Sequence, residues 1–257
     1  MIRQILLLAP LCIALPAQAQ SFELLTEITY ADYSEGRGDR QEASVIADID
    51  FGDTSLVIGG ATGKRDYGTA DFSGSEGSVD LYHDWNDTLT TRTSFSLSSD
   101  DPVFANRTIA QEIMVKPADN LVLTGGIGWR EYFGDVETTV WSLGPTYYFR
   151  GGFVRYTYSD FDIEDRGNTH SHLATVRVND GSGRGYTQAW LGTGTSIQEY
   201  EFVVPDYEGD VTGAALRRVQ PVSDTLDLTI GVDYQDFDTP LADYERWGMT
   251  GGVKVRW

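Results

Sequence analysis

Cysteine is almost missing from this 257-residue chain. The single one, Cys12, lies in an apolar stretch from Ile5 to Leu15 that follows Arg3 and precedes Ala17-Gln18-Ala19. A positive start, a short apolar run and a small-residue cleavage site make an export signal. Leu11 stands where a lipoprotein cleavage site would want a small residue. Cleavage is therefore expected after Ala19, with 1–19 a signal peptide and 20–257 the mature domain, which then has neither thiol chemistry nor a disulfide.

Long apolar runs are missing too. Nothing after the signal approaches the ~18 consecutive apolar residues of a membrane-spanning helix, so if the chain crosses a membrane it does so as a closed β-barrel. Basic residues are scarce: 19 Lys and Arg stand against 39 Asp and Glu, a formal net charge of −20, and loss of Arg3 makes the mature chain more acidic still. Such a balance argues against a nucleic-acid partner and suits an exposed, well-solvated surface.

Alternation is what the sequence has in quantity. A strand sends successive side chains to opposite faces. From Arg246 to Trp257, one face carries Trp247, Met249, Gly251, Val253, Val255 and Trp257. The other carries Arg246, Gly248, Thr250, Gly252, Lys254 and Arg256. Leu89, Thr91, Thr93, Phe95 and Leu97 oppose Arg92. Leu226, Leu228, Ile230, Val232 and Tyr234 oppose Asp227, Thr229 and Asp233. Similar segments recur along the chain, separated by turn sequences such as Gly52-Asp53-Thr54, Asn86-Asp87-Thr88 and Arg150-Gly151-Gly152. Arg217 and Arg218 break the pattern, so one points to the apolar side or a bulge intervenes.

About fourteen strands can be counted, with twelve the runner-up. The connections alternate between short turns near 53, 87, 118, 151, 182 and 222 and longer ones at Ser34–Gln41, Arg65–Gly74, Ser99–Ala105, Asp162–Asn168, Gln198–Gly209 and Asp236–Tyr244. The connection near Gly134 is short. A soluble barrel or sandwich also alternates, with its apolar face inward. Export, a terminal aromatic strand, alternating loop lengths and aromatics toward strand ends (Tyr30, Tyr33, Trp85, Trp129, Tyr147, Tyr158, Trp247 and Trp257) favour the membrane form. The expectation is an all-β, antiparallel transmembrane outer-membrane β-barrel. Both termini are periplasmic, and lipid and lipopolysaccharide surround it. The sequence leaves its oligomeric state open.

The inner face is then the only candidate functional surface. Its expected residues are Asp48, Arg92, Glu112, Arg130, Arg155, Arg177, Asp227, Asp233 and Lys254. Mixed charge across a lumen selects solutes, as charged rings do in pores; equally, it pairs into a ladder that merely fills the barrel. Inward Tyr82 and Trp190 are placed to stack on sugar rings. No catalytic residue, cofactor or metal site is expected. His170-Ser171-His172 invites comparison with lipid hydrolases, but adjacent strand residues face opposite sides, so Ser171 points away from both imidazoles. Asp160 to Asp165 echoes a calcium loop but lacks the sixth-position Gly and twelfth-position Glu of an EF-hand. Gly59 to Arg65 is no P-loop, because Arg65 stands where Ser or Thr must hold Mg²⁺.

Several segments, in order, resemble one family: Thr90-Thr91-Arg92-Thr93, Asp101-Pro102-Val103-Phe104-Ala105, Val178-Asn179-Asp180, Gly185-Tyr186-Thr187-Gln188-Ala189-Trp190-Leu191, Arg218-Val219-Gln220-Pro221 and Asp238-Thr239-Pro240. They look like the YaiO family of outer-membrane β-barrels across nearly the whole mature chain. The resemblance implies a barrel similar to those of exopolysaccharide export porins, with no established catalytic residues to carry over. Such exporters usually carry a long periplasmic helical scaffold, and none is seen between the cleavage site and the first strand. The leading expectation is a passive pore, with a saccharide as a possible solute. The alternatives are a non-conducting surface barrel whose loops bind a partner or stabilise the envelope, and an outer-membrane lipid hydrolase.

Overall fold

The computed structural model describes residues 21–99, 101–164, 167–195, 209–239 and 243–257; the expected signal peptide and most of the segment 198–209 lie outside them. Fourteen strands follow in chain order: β1 (Ser21–Tyr33), β2 (Asp39–Asp50), β3 (Thr54–Asp66), β4 (Asp71–Asn86), β5 (Leu89–Ser98), β6 (Arg107–Ala118) and β7 (Leu121–Tyr132), then β8 (Val136–Phe149), β9 (Gly152–Ile163), β10 (Gly167–Asn179), β11 (Tyr186–Thr195), β12 (Asp210–Pro221), β13 (Leu226–Asp238) and β14 (Asp243–Arg256). Each pairs antiparallel with its sequence neighbours, and β14 pairs β1 to close the ring. Closure satisfies the edge N–H and C=O groups that a hydrocarbon environment would leave unpaired. The seam is finished by backbone bonds from Trp257 N–H to the Phe22 carbonyl (2.9 Å) and from Phe22 N–H to the Trp257 carbonyl (3.4 Å). The two rings meet 5.1 Å apart.

The large exposed hydrophobics share one face. Ile28, Ile58, Leu81, Ile113, Leu143, Val176, Leu191, Leu216, Val232 and Met249 form a belt around the barrel. Exposed aromatics flank it. Trp85, Tyr147 and Trp257 sit at the end where the chain termini meet, and Tyr30, Tyr158 and Trp247 toward the distal end. An apolar band between two aromatic girdles is the outer surface of a membrane barrel. Tyr33, expected in a girdle, is instead turned inward and only 3% exposed. Burial under the Arg65 guanidinium, 3.6 Å from its ring centroid, holds it there.

Charged side chains occupy the opposite face. Arg217 on β12 donates to Glu27 on β1 at 2.6 Å although two strands stand between them. Side chains diverge on a convex surface and converge on a concave one, so only the interior allows such a contact. Arg217 and Arg218 part without a bulge, since the register of β12 is continuous with both neighbours. Arg217 turns in, while Arg218 turns out near the terminal end and donates to Asp180 at 2.6 Å.

The distal connections are shorter than the sequence suggests. β3 runs to Asp66 and β4 starts at Asp71, with Lys64 and Asp71 paired at 3.6 Å. β9 runs to Ile163 because Phe161 and Ile163 are buried with Tyr132. Asp160 and Asp162 are therefore strand residues, not members of a loop.

In the 180–185 turn, hydrogen bonds from the Ser182 hydroxyl and amide, then from Arg218, hold the Asp180 carboxyl at about 2, below its ordinary 3.8. A depressed carboxylate contributes stability above its unfolded value and loses it as pH falls through the folded one. Protection of the Ser182 amide is thus expected to stay constant from pH 8 to near 4 and to vanish between about 4 and 2, as amide exchange would record.

Candidate functional site

The interior is divided by charge. From β12 round through β14 and β1 to β6, acids and bases interleave and pair. Lys254 reaches Glu23 at 2.7 Å, and Arg256 reaches Glu23 at 3.1 Å and also bonds Asp227, which is fully buried. Glu27 accepts from Arg217 and from the Thr229 hydroxyl at 2.9 Å. Arg246 donates to Asp233 at 2.9 Å and Gln235 at 3.0 Å. Across the ring, Arg92 bridges Asp80 (2.9 Å) and Glu112 (3.2 Å), with the Tyr82 ring 5.5 Å away. Asp48 lies in the Glu23 row.

From β7 to β11 the interior differs. The pairing register places Arg130, Arg155 and Arg177 on this stretch of inner face and no Asp or Glu. Arg155 spends its Nε on the Thr146 hydroxyl at 2.9 Å, and Arg177 spends its own on the Gln188 carbonyl oxygen at 2.6 Å. Among the described residues none of these three cations has an ion-pair partner. The nine residues singled out from the sequence therefore share one face but do not form one cluster. Five belong to paired networks, Asp48 lies beside one of them opposite Glu23, and three stand on an acid-free wall.

Open space follows the acid-free wall. One cavity of about 520 Å³ is lined by Tyr148, Phe153, Arg155, Arg177, Gln188 and Trp190 among others. A second, of about 390 Å³, includes Glu112, Arg130, Ser142 and Thr157. A third, of about 430 Å³, includes Leu173, Trp190, Gly213, Ala215 and Asp233. Thr157 borders the first two, and Leu173 and Trp190 border the first and third.

The side from β1 to β5 is filled instead. Residues 101–106, after β5, fold into the barrel: Pro102, Val103 and Phe104 are buried, and Asp101 caps the Val103 amide at 2.9 Å. Their bed is a glycine pair, Gly63 opposite Gly74. A Cβ on Gly63 would come 2.9 Å from Val103 and 3.1 Å from Phe104, and one on Gly74 would strike the Asp101 carboxylate. At the distal rim, Arg37 over Tyr244 (3.9 Å), Arg65 over Tyr67 (4.2 Å) and the stacked Phe237–Tyr244 pair (4.4 Å) add to the filling.

Neither this inward fold nor Glu23, Glu27, Asp80, Arg217, Arg246 and Arg256 as network members was anticipated from the sequence. The one signal was the apolar Pro102-Val103-Phe104 inside an otherwise polar connection. His170 and His172 lie on the outer face beside Tyr156 and Tyr158, with Tyr156 and His172 bonded at 2.6 Å. Ser171 lies on the inner face.

The family model described as the YaiO membrane beta barrel domain matches residues 21–201. The chain belongs to this family. Solved structures agree at the level of fold. The anion-selective porin from Comamonas acidovorans is 10% identical with a TM-score of 0.52, over 93% of this chain and 99% of that one. The CymD monoaromatic hydrocarbon channel gives 8% and 0.59, over 93% and 89%. A bacterial polysaccharide outer membrane secretin gives 9% and 0.57, over 92% and 98%. This YaiO-family chain is an outer-membrane β-barrel with porin-like architecture.

Proposed function

We propose that this barrel is a passive aqueous pore of the Gram-negative outer membrane for small polar solutes, saccharides among them, and that the path runs along β7 to β11. The observation that carries the reading is the chain of three cavities with shared lining residues on that wall. Aromatic faces at Tyr148, Phe153 and Trp190, with neutral hydrogen-bonding groups at Thr175, Asn179 and Gln188, suit sugar hydroxyls and ring faces. The nine inner-face residues act here as the electrostatic lining: the five paired ones stiffen the wall, Asp48 adds a negative charge near the terminal end, and Arg130, Arg155 and Arg177 set the sign of the β7–β11 side. In this reading residues 1–19 are the export signal, and both termini lie in the periplasm.

Single-channel recording in planar bilayers tests it: discrete conductance steps are expected. Removing Arg155 and Arg177, or removing Arg92 so that Asp80 and Glu112 lose their cation, shifts the lining toward negative charge. Arg92→Ala, Arg155→Ala and Arg177→Ala should each move the reversal potential in a salt gradient toward cation selectivity. The double variant Arg155→Ala/Arg177→Ala should move it most. An unchanged reversal potential in all of them would remove the inner wall from the conduction path.

A second reading is favoured by the inward segment 101–106 and the aromatic rim. These are parts of a closed distal mouth, and the barrel is then a non-conducting surface protein. It predicts no steps from purified protein, and steps once residues 101–104 are deleted.

A further inference from the structure

The 520 Å³ cavity does more than leave room. Its two arginines are built to receive an anion. Arg155 stands opposite Thr175 and Arg177 two residues further along the same strand, so the two are diagonal neighbours, about 7–8 Å apart at the backbone. Each guanidinium is fixed through Nε, to Thr146 at 2.9 Å and to Gln188 at 2.6 Å. The paired Nη donors of both forks are thereby left for something else. Phe153 lies between them, its ring centroid 5.7 Å from one guanidinium carbon and 5.1 Å from the other, and Tyr186 packs at 4.0 Å on Arg177. Tied and stacked arginines lose less freedom on binding than free ones, and a planar fork matches a carboxylate in two-point contact.

The surroundings supply no competing anion. The inner face from β7 to β11 has no carboxylate, and the nearest inner-face acids beyond it, Glu112 and Asp233, already hold Arg92 and Arg246. In the row Thr146–Arg155–Thr175–Trp190, the indole stands two strands from the Arg155 fork. A carboxylate seated on the forks would bring a ring attached to it over Trp190 or Phe153, with Thr175 and Gln188 in reach of hydroxyls.

We infer that Arg155 and Arg177, with Trp190, form a binding subsite for a carboxylated sugar, a uronate, inside a barrel that is otherwise strongly acidic. The inference deepens the pore reading in its choice of solute, yet binding itself needs no open path.

Two readouts separate the two claims. In detergent micelles, galacturonate is titrated against tryptophan fluorescence, with Trp190→Phe identifying the indole that responds. Galactose and acetate serve as the neutral-ring and ringless-anion controls. In bilayers, the same solutes are tested for current block. Galacturonate should quench Trp190 at about tenfold lower concentration than either control, and Arg155→Gln or Arg177→Gln should erase that preference. Each variant is checked first for folding by its heat-dependent gel mobility. Should one variant fail to fold, the other carries the test. Quenching without conductance would uphold the subsite and sink the pore. Conductance with equal affinity for galacturonate, galactose and acetate, or a galacturonate preference that survives both glutamines, would overturn the subsite and leave the pore standing.

Discussion

Arginine placed at Val232 is expected to destabilise the barrel by about 2–4 kcal/mol, the range for a cation on the lipid face near the bilayer midplane. Val232 lies mid-strand in β13, is 47% exposed and pairs with Leu216 and Met249, both exposed and apolar. No carboxylate stands beside it in these pairs, and snorkelling to either end must cover half a strand. Arginine at Ala215, by contrast, enters the 430 Å³ cavity opposite Asp233. It should cost less than about 1 kcal/mol, because the group stays hydrated and stands beside the Asp233 carboxylate that it shares with Arg246. Equilibrium denaturant unfolding of the two variants in lipid vesicles gives both numbers, and the difference between neighbouring strands measures the inside-out arrangement directly. Equal penalties would contradict it.

The second large effect is expected at the seam. Asp227 is fully buried on β13, bonded to Arg256 of β14, with Arg184 of the adjoining turn 3.9 Å away. Arg256 in turn holds Glu23 of β1. One guanidinium, that of Arg256, therefore ties the last two strands to the first, with Asp227 as its anchor on β13. Removing one partner of a buried pair typically costs about 3–5 kcal/mol, because the other charge is left without compensation. Glu23 remains for Arg256, so Asp227→Ala should fall at the lower end, near 3 kcal/mol. Replacing both partners with leucine should recover much of the loss. Both variants are measured by the same unfolding assay. A wild-type midpoint for Asp227→Ala would mean that the seam rests on its backbone bonds and the Phe22–Trp257 contact alone.

The strands were legible because lipid and lumen impose period two, and period two survives in a single sequence. Leu89 to Leu97 and Leu226 to Tyr234 needed no tertiary knowledge to assign. The count of fourteen over twelve followed from turn chemistry. The loop boundaries did not: Phe161, Ile163 and Arg65 extend their strands because of what they meet on other strands. Tyr33 departs from its expected girdle position for the same reason, since an aromatic at a strand end anchors to lipid or folds inward according to its neighbours.

The division of the lumen was the least legible feature. Each of Arg92, Arg155 and Arg177 shows the same local pattern, an inward arginine between two uncharged outward residues: Thr91 and Thr93, Val154 and Tyr156, Val176 and Val178. That Arg92 meets Asp80 and Glu112 while Arg155 and Arg177 meet Thr146 and Gln188 depends on register. That Glu27 finds Arg217 depends on closure. The glycine pair under residues 101–104 is of the same kind. Gly63 and Gly74 are unremarkable in their own strands and acquire a role only when set opposite each other.

A pore along β7 to β11 requires solutes to pass that wall, and one reagent can ask whether they do. The only cysteine lies in the expected signal peptide, so a cysteine placed at Thr157, where two cavities meet, would be alone in the mature chain. A charged, water-soluble thiol reagent added to an open channel carrying Thr157→Cys should lower the current in one irreversible step. Leu143→Cys, on the exposed apolar belt, should conduct unchanged. Full modification at position 157 with undiminished current would place the path elsewhere or deny it altogether.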